Sequence, residues 1–104
     1  RSEKNALASY LMRLCEHFLK LQYWDTEREW CYRGWKLEIA NFRRQIQTLL
    51  QDSPRLKTHL RDRFELEYRH ARKLFLEVSE LEEQRIPVKP EFTLEQALDP
   101  NWLP

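Results

Sequence analysis

Residues Lys4–Trp24, KNALASYLMRLCEHFLKLQYW, decide the fold. Leu7, Leu11, Leu14, Phe18 and Leu21 recur there in steps of four and three, the spacing that aligns side chains on one face of an α-helix. Tyr10, His17 and Trp24 form a second row beside that stripe, so the apolar face is wider than a two-stranded seam requires. A helix with so broad a face needs at least two neighbours.

The rest of the chain supplies them. Asp25 and Thr26 continue a helix poorly, and Thr26 with Glu29 has the spacing of a capping box, which predicts a second helix from there to about Gln51. Trp35, Ile39, Phe42, Ile46 and Leu49 form its core-facing stripe. Gly34 beside Trp35 costs about 1 kcal/mol relative to alanine inside a helix, which predicts a close approach by a neighbour at that point. Asp52-Ser53-Pro54 is the clearest punctuation: serine caps a helix start and proline suits the first helical position, so a third helix is expected to begin there. Leu56, Leu60, Phe64, Tyr68, Ala71, Phe75 and Val78 make its inward face, and it must stop before Pro87. Connections this short predict antiparallel neighbours.

Two ends remain. Ser2 reads either as an N-cap or as the interior of a longer helix. The tail, residues 86–104, carries Pro87, Pro90, Pro100 and Pro104, yet Phe92, Leu94, Leu98, Trp102 and Leu103 make it too apolar for a solvated linker. It is expected to dock. Thr93 with Gln96 forms a capping box, and Phe92 with Ala97 has the spacing of a hydrophobic staple, so one short helix is predicted over Leu94–Leu98. The architecture implied is all-α, a single domain over residues 1–104. It is an antiparallel bundle of three long helices, or part of a four-helix bundle, closed by the docked tail.

Composition agrees: 41% hydrophobic and 34% charged residues with a single glycine suit a helical bundle. Arg13, Glu16 and Lys20 interrupt the most apolar stretch, so no membrane span is expected. No secretory signal or transit peptide is recognisable at the start of the chain, and Cys15 and Cys31, on different helices, read as reduced thiols of a cytoplasmic protein.

Several motifs together are familiar: Ser2-Glu3-Lys4, the run His17-Phe18-Leu19-Lys20-Leu21-Gln22-Tyr23, the spaced Trp35, Ile39 and Arg43, Asp52-Ser53-Pro54, and Phe92-Thr93-Leu94-Glu95-Gln96. With these the chain resembles, over nearly its whole length, the domain of unknown function 29 family. The resemblance implies an all-helical, largely cyanobacterial protein with no established activity. It also implies a leucine-rich, acidic stretch ahead of Ser2 that would complete the fold. Phe18 stands where the family more usually has leucine, a packing difference.

No reaction centre stands out. His17 lies in an apolar face next to Glu16, but neighbours on a helix point about 100° apart, so Glu16 cannot orient the imidazole as a triad acid would. The reading preferred for His17 is a core histidine hydrogen-bonded to a partner helix, with a hydrolase centred on it ranking third among functions. Cys15, Cys31, His17 and His70 lack zinc-ligand spacing, and the chain has neither a glycine-rich phosphate loop nor a nucleophile elbow. No metal, no cofactor and no enzymatic activity are expected.

Charge says more. Residues 28–73 hold twelve Lys or Arg against six acids, and residues 74–104 hold two against seven, so the net charge of +1 conceals a dipolar chain. Arg33, Lys36, Arg43, Arg44 and Arg61 are the candidates for a phosphate-binding patch. Against that patch stand the helical pairs Arg61 with Glu65 and Arg63 with Glu67, and an acidic tail able to fold back. Of the tryptophans, Trp35 and Trp102 read as anchors, whereas Trp24 and Trp30 flank the first loop and offer either core packing or an interaction patch. The function expected is therefore protein interaction, with a protein partner or a second copy, and the alternative is weak, non-specific nucleic-acid binding.

Overall fold

A computed structural model describes residues 2–104. Helices α1 (Ser2–Tyr23), α2 (Asp25–Asp52) and α3 (Leu56–Ser79) run up, down and up, followed by a 3-10 turn at Glu83–Arg85 and a short helix α4 (Leu94–Leu98). Arg1 and the side chain of Ser2 lie outside the described residues, and with them the N-cap reading of Ser2.

The broad stripe makes α1 the central element. Leu7, Leu11, Leu14 and Phe18 are fully buried, and every residue from Leu14 to Leu19 is buried, which requires cover on more than one side. That cover comes from α2 and α3, each packed on α1 while barely meeting the other. Short connections had implied that α3 would pair with α2. The width of α1 overrides this, because it offers each of them more apolar surface than they offer one another.

The groove left between α2 and α3 is filled by the tail, where a fourth helix was the alternative. Phe92 sets its ring edge-on to Phe18 of α1 (5.1 Å between centroids) and to Phe64 and Tyr68 of α3 (5.9 and 6.0 Å). Trp102 meets Phe18 edge-on at 5.4 Å. Such pairs add about 0.5–1.5 kcal/mol each beyond the area they bury. Main-chain carbonyls of the tail then accept from side chains of the bundle. Tyr68 Oη donates to Pro87 (2.7 Å), and Arg72 donates to Ile86 (3.2 Å) and Glu83 (2.9 Å).

Two helix starts, one inward position and one glycine depart from expectation. At the first junction Trp24 alone interrupts the helices, α2 begins at Asp25, and its N-cap has no side-chain hydrogen bond, so Thr26 and Glu29 form no capping box there. The last carbonyls of α1 are satisfied instead by Arg28, which donates to Leu21 (2.9 Å) and Gln22 (3.0 Å). Ser53 terminates α2, and a turn through Pro54 and Arg55 precedes α3, so that helix starts at Leu56 without a side-chain cap. Glu80 adopts a left-handed conformation (φ 59°) and donates its N–H to Leu76, ending α3 at Ser79. The early stop leaves Val78 47% exposed rather than on the core face. Around Gly34 a β-carbon would find no atom within 4 Å, so no neighbour approaches it and close packing does not explain it.

At α4 both halves of the expected capping box form. Gln96 N donates to Thr93 Oγ1 and Thr93 N to Gln96 Oε1, each at 3.0 Å.

Candidate interaction surface

Trp35, Ile39, Arg43 and Ile46, in steps of four, four and three, are the buried residues of α2 and fix its rotation. Trp30, Gly34, Leu37 and Asn41 therefore fall on the opposite side, one turn apart. Trp30 is 82% exposed and Leu37 64%, and the space over Gly34 between them is open. Large apolar side chains in solvent are ordinary when scattered. Here two share one face of one helix about 10 Å apart, the rise of a heptad. Trp30 was legible as a candidate in the sequence, but Leu37 and Gly34 were not. Their signal was the seven-residue interval from Trp30 to Leu37 running opposite the core stripe.

The other tryptophan of the expected patch lies elsewhere. Trp24 stacks on Trp35 (6.1 Å, 13° between planes) and meets Phe75 of α3 edge-on at 6.0 Å, so it closes the end of the core where the three long helices converge.

The basic candidates separate. Arg33, Lys36 and Arg44 are exposed on α2, with Lys36 Nζ over the Tyr32 ring at 5.1 Å and Arg44 donating to Asn41 Oδ1 at 3.1 Å. Arg61 stands on α3 and pairs with Glu95 of the tail at 3.2 Å, not with Glu65. The Glu95 carboxyl is held below its ordinary range first by its own backbone N–H and then by Arg61. Arg43 leaves the surface altogether: it is 7% exposed, its Nε donates to Ala97 (2.8 Å), one Nη to Trp102 (2.7 Å), and its guanidinium lies 5.3 Å from the centre of the Phe18 ring. Main-chain carbonyls of the tail converge on the guanidinium and make this burial tolerable, with that of Gln96 at 3.4 Å from the same group. Sequence reasoning counted Arg43 as surface charge. Its place three residues before Ile46 and four after Ile39 was the signal that it faced inward.

His17 is 3% exposed as a core residue, but its Nδ1–H donates to the Arg13 carbonyl at 2.7 Å, one turn back on its own helix and not on a partner helix, because that carbonyl lies within reach of the ring. Its ring leans on Phe42 of α2 at 5.4 Å. Burial pushes the imidazole below its ordinary range, partly opposed by the Arg13 carbonyl. Glu16 Oε1 is 3.9 Å from Nδ1, beyond hydrogen-bonding reach, and finds no hydrogen-bond partner among the described residues. A cleft of about 500 Å³ opens elsewhere, between the first turns of α1 and α3, lined by Glu3, Lys4, Leu56, His59 and Asp62. Among the described residues no group of three or more His, Cys, Asp or Glu is placed to hold a metal, and no helix is long and apolar enough to cross a membrane.

A three-helix bundle sealed by an arginine-held tail, with an apolar row facing solvent on its second helix, defines the class: a small all-α protein. Residues 1–103 match the family described as Domain of unknown function DUF29, and the chain belongs to it. Comparison with curated proteins and with solved structures gives no match.

Proposed function

We propose that this protein is an interaction module and not a catalyst, and that it docks through the outer face of α2. The observation that carries the reading is Trp30, 82% exposed, with Leu37 at 64% on the same face. Aromatic residues dominate the energy of protein interfaces because they bury much area with few rotatable bonds, and an indole held on a rigid helix loses little entropy on docking. Free thiols at Cys15 and Cys31 favour the cytoplasm as the compartment.

Non-specific binding of nucleic acid is the weaker reading. It retains Arg33, Lys36 and Arg44, but Arg43 is engaged with the tail and Arg61 with Glu95. A photo-crosslinking residue in place of Trp30, introduced into the full chain in its native host, tests the proposal. Adducts to protein that disappear when Leu37→Ser is added are expected. Absence of protein adducts at position 30, or adducts to nucleic acid alone, would overturn it.

A further inference from the structure

The outer face of α2 has the layout of a short heptad seam. Trp30 and Leu37 occupy d positions, Gly34 and Asn41 a positions, with Arg33 at g and Glu38 at e. We propose that two copies of this chain pair through that seam as a parallel, in-register helix dimer. The inference rests on the reading of the α2 face as the docking surface and adds the identity of its occupant.

Charge decides the occupant and its direction. Arg33 flanks one side of the apolar row and Glu38 the other. Both are exposed, and neither takes part in an ion pair among the described residues. A twofold axis parallel to the helices sets the g flank of one copy against the e flank of the other, so Arg33 meets the partner copy's Glu38 and the pair occurs twice. A twofold axis perpendicular to the helices sets g against g and e against e. That arrangement places arginine near arginine and glutamate near glutamate. The flanking charges are therefore complementary in the parallel arrangement, while Glu27 and Arg44 at the ends of the seam meet their own kind there.

The apolar row agrees with this geometry. Trp30 is followed one turn later by Gly34, whose surroundings are empty, so two indoles at one level find room over the glycines at the next. Large and small layers then alternate, the condition for close packing at the usual 8–10 Å between helix axes. Leu37 supplies a second apolar layer. Asn41 supplies an amide at an a position, where a paired asparagine fixes register and favours two strands. Glu27 and Arg44 end the seam with charge on either side, which limits the dimer to two heptads and makes it weak and concentration-dependent.

Sedimentation equilibrium of the full chain up to ~300 μM reads the association directly. Reversible dimerisation is expected. Arg33→Glu or Glu38→Arg should each weaken it by about tenfold, and the double exchange should restore it. Both positions are exposed, so circular dichroism should show the variants folded. Direction is read by cysteine cross-linking in a Cys31→Ser background. Leu37→Cys and Arg44→Cys should each form disulfide-linked dimers on their own, because in register every position faces its own copy. In an antiparallel pair d positions face a positions, so neither cysteine would meet its own copy; a dimer seen in sedimentation that self-links at neither position overturns the proposal. A monomer throughout the concentration range, or single reversals without effect, also overturns it. Heterologous adducts at position 30 alongside a strictly monomeric chain would remove self-pairing and leave the interaction reading standing.

Discussion

Arg43 on α2 donates to the main-chain carbonyl of Trp102, fifty-nine residues later, at 2.7 Å. The same side chain holds Ala97 at 2.8 Å, so one guanidinium fixes the end of α4 and the last turn of the tail together. Removing it strands buried carbonyls and loses two charge-assisted hydrogen bonds, each worth about 1.5–3 kcal/mol. Arg43→Ala should therefore cost about 3–4 kcal/mol in urea denaturation and expose the tail to proteolysis. Arg43→Lys should recover only part, because an ammonium cannot reproduce the planar fork. Equal stability of Arg43→Ala and the parent chain would show that the tail docks by its apolar residues alone.

Those apolar residues make the second test. Trp102 is half-buried, touching Phe18 at 5.4 Å and Phe92 at 5.7 Å, so its truncation should cost about 2 kcal/mol, below the 3–5 typical of a fully buried tryptophan. Deletion of residues 92–104 should cost more than either point change, since it uncovers Phe18 and removes the partners of Arg43. An unchanged melting temperature after that deletion would contradict the docked tail.

How far these features could be read beforehand depends on which interactions are local. The helical stretches followed from spacing, and α4 followed from a capping box whose two hydrogen bonds lie within four residues. The starts of α2 and α3 did not follow, because Arg28 reaching back to Leu21, and the turn closed by Leu56 N on Ser53 O, compete with the side-chain caps the residue types suggest. Arg43 was hidden for a different reason: an arginine is buried only when acceptors converge on it, and its acceptors lie more than fifty residues away. The α2 face was half legible. Trp30 stood out by type, whereas Leu37 and Gly34 acquire meaning only once the inward stripe fixes the rotation of the helix.

His17 predicts a pH dependence. Burial is the main cause that lowers its affinity for a proton in the folded chain, with the charges of Lys20 and Arg13 adding and the Arg13 carbonyl and Glu16 opposing. The unfolded chain binds that proton near pH 6.5, the folded chain only at lower pH. The contribution is therefore whole above about pH 6.5 and declines as pH falls toward the folded value, no more steeply than about 1.4 kcal/mol per pH unit. Denaturation curves between pH 7 and 5.5 should show this loss, and His17→Gln should flatten it. Parallel slopes for the two proteins would assign the effect to other groups.

The thiols should differ sharply. Cys15 is fully buried and its pKa is raised, first by burial and then by the charge of Glu67, whereas Cys31 is partly exposed. Reaction with a thiol reagent at pH 8 should modify Cys31 in the folded chain and Cys15 only when denaturant opens the core. Prompt modification of both without denaturant would mean that α1 opens locally.

Gly34 gives a test in which fold and surface pull apart. It sits inside α2, in a helical conformation with no positive φ, and a β-carbon there meets no atom within 4 Å. Nothing in the monomer opposes alanine, while glycine costs about 1 kcal/mol in helix propensity. Gly34→Ala should therefore stabilise the chain by about 0.5–1 kcal/mol at concentrations too low for association. Gly34→Leu should gain less in the monomer and fill the space that the paired indoles of Trp30 require, so its deficit against Gly34→Ala should widen where dimer is populated. Stability measured at two protein concentrations for both variants separates the effects. If the difference between them is the same at both concentrations, Gly34 is a surface glycine and the seam does not pack as described.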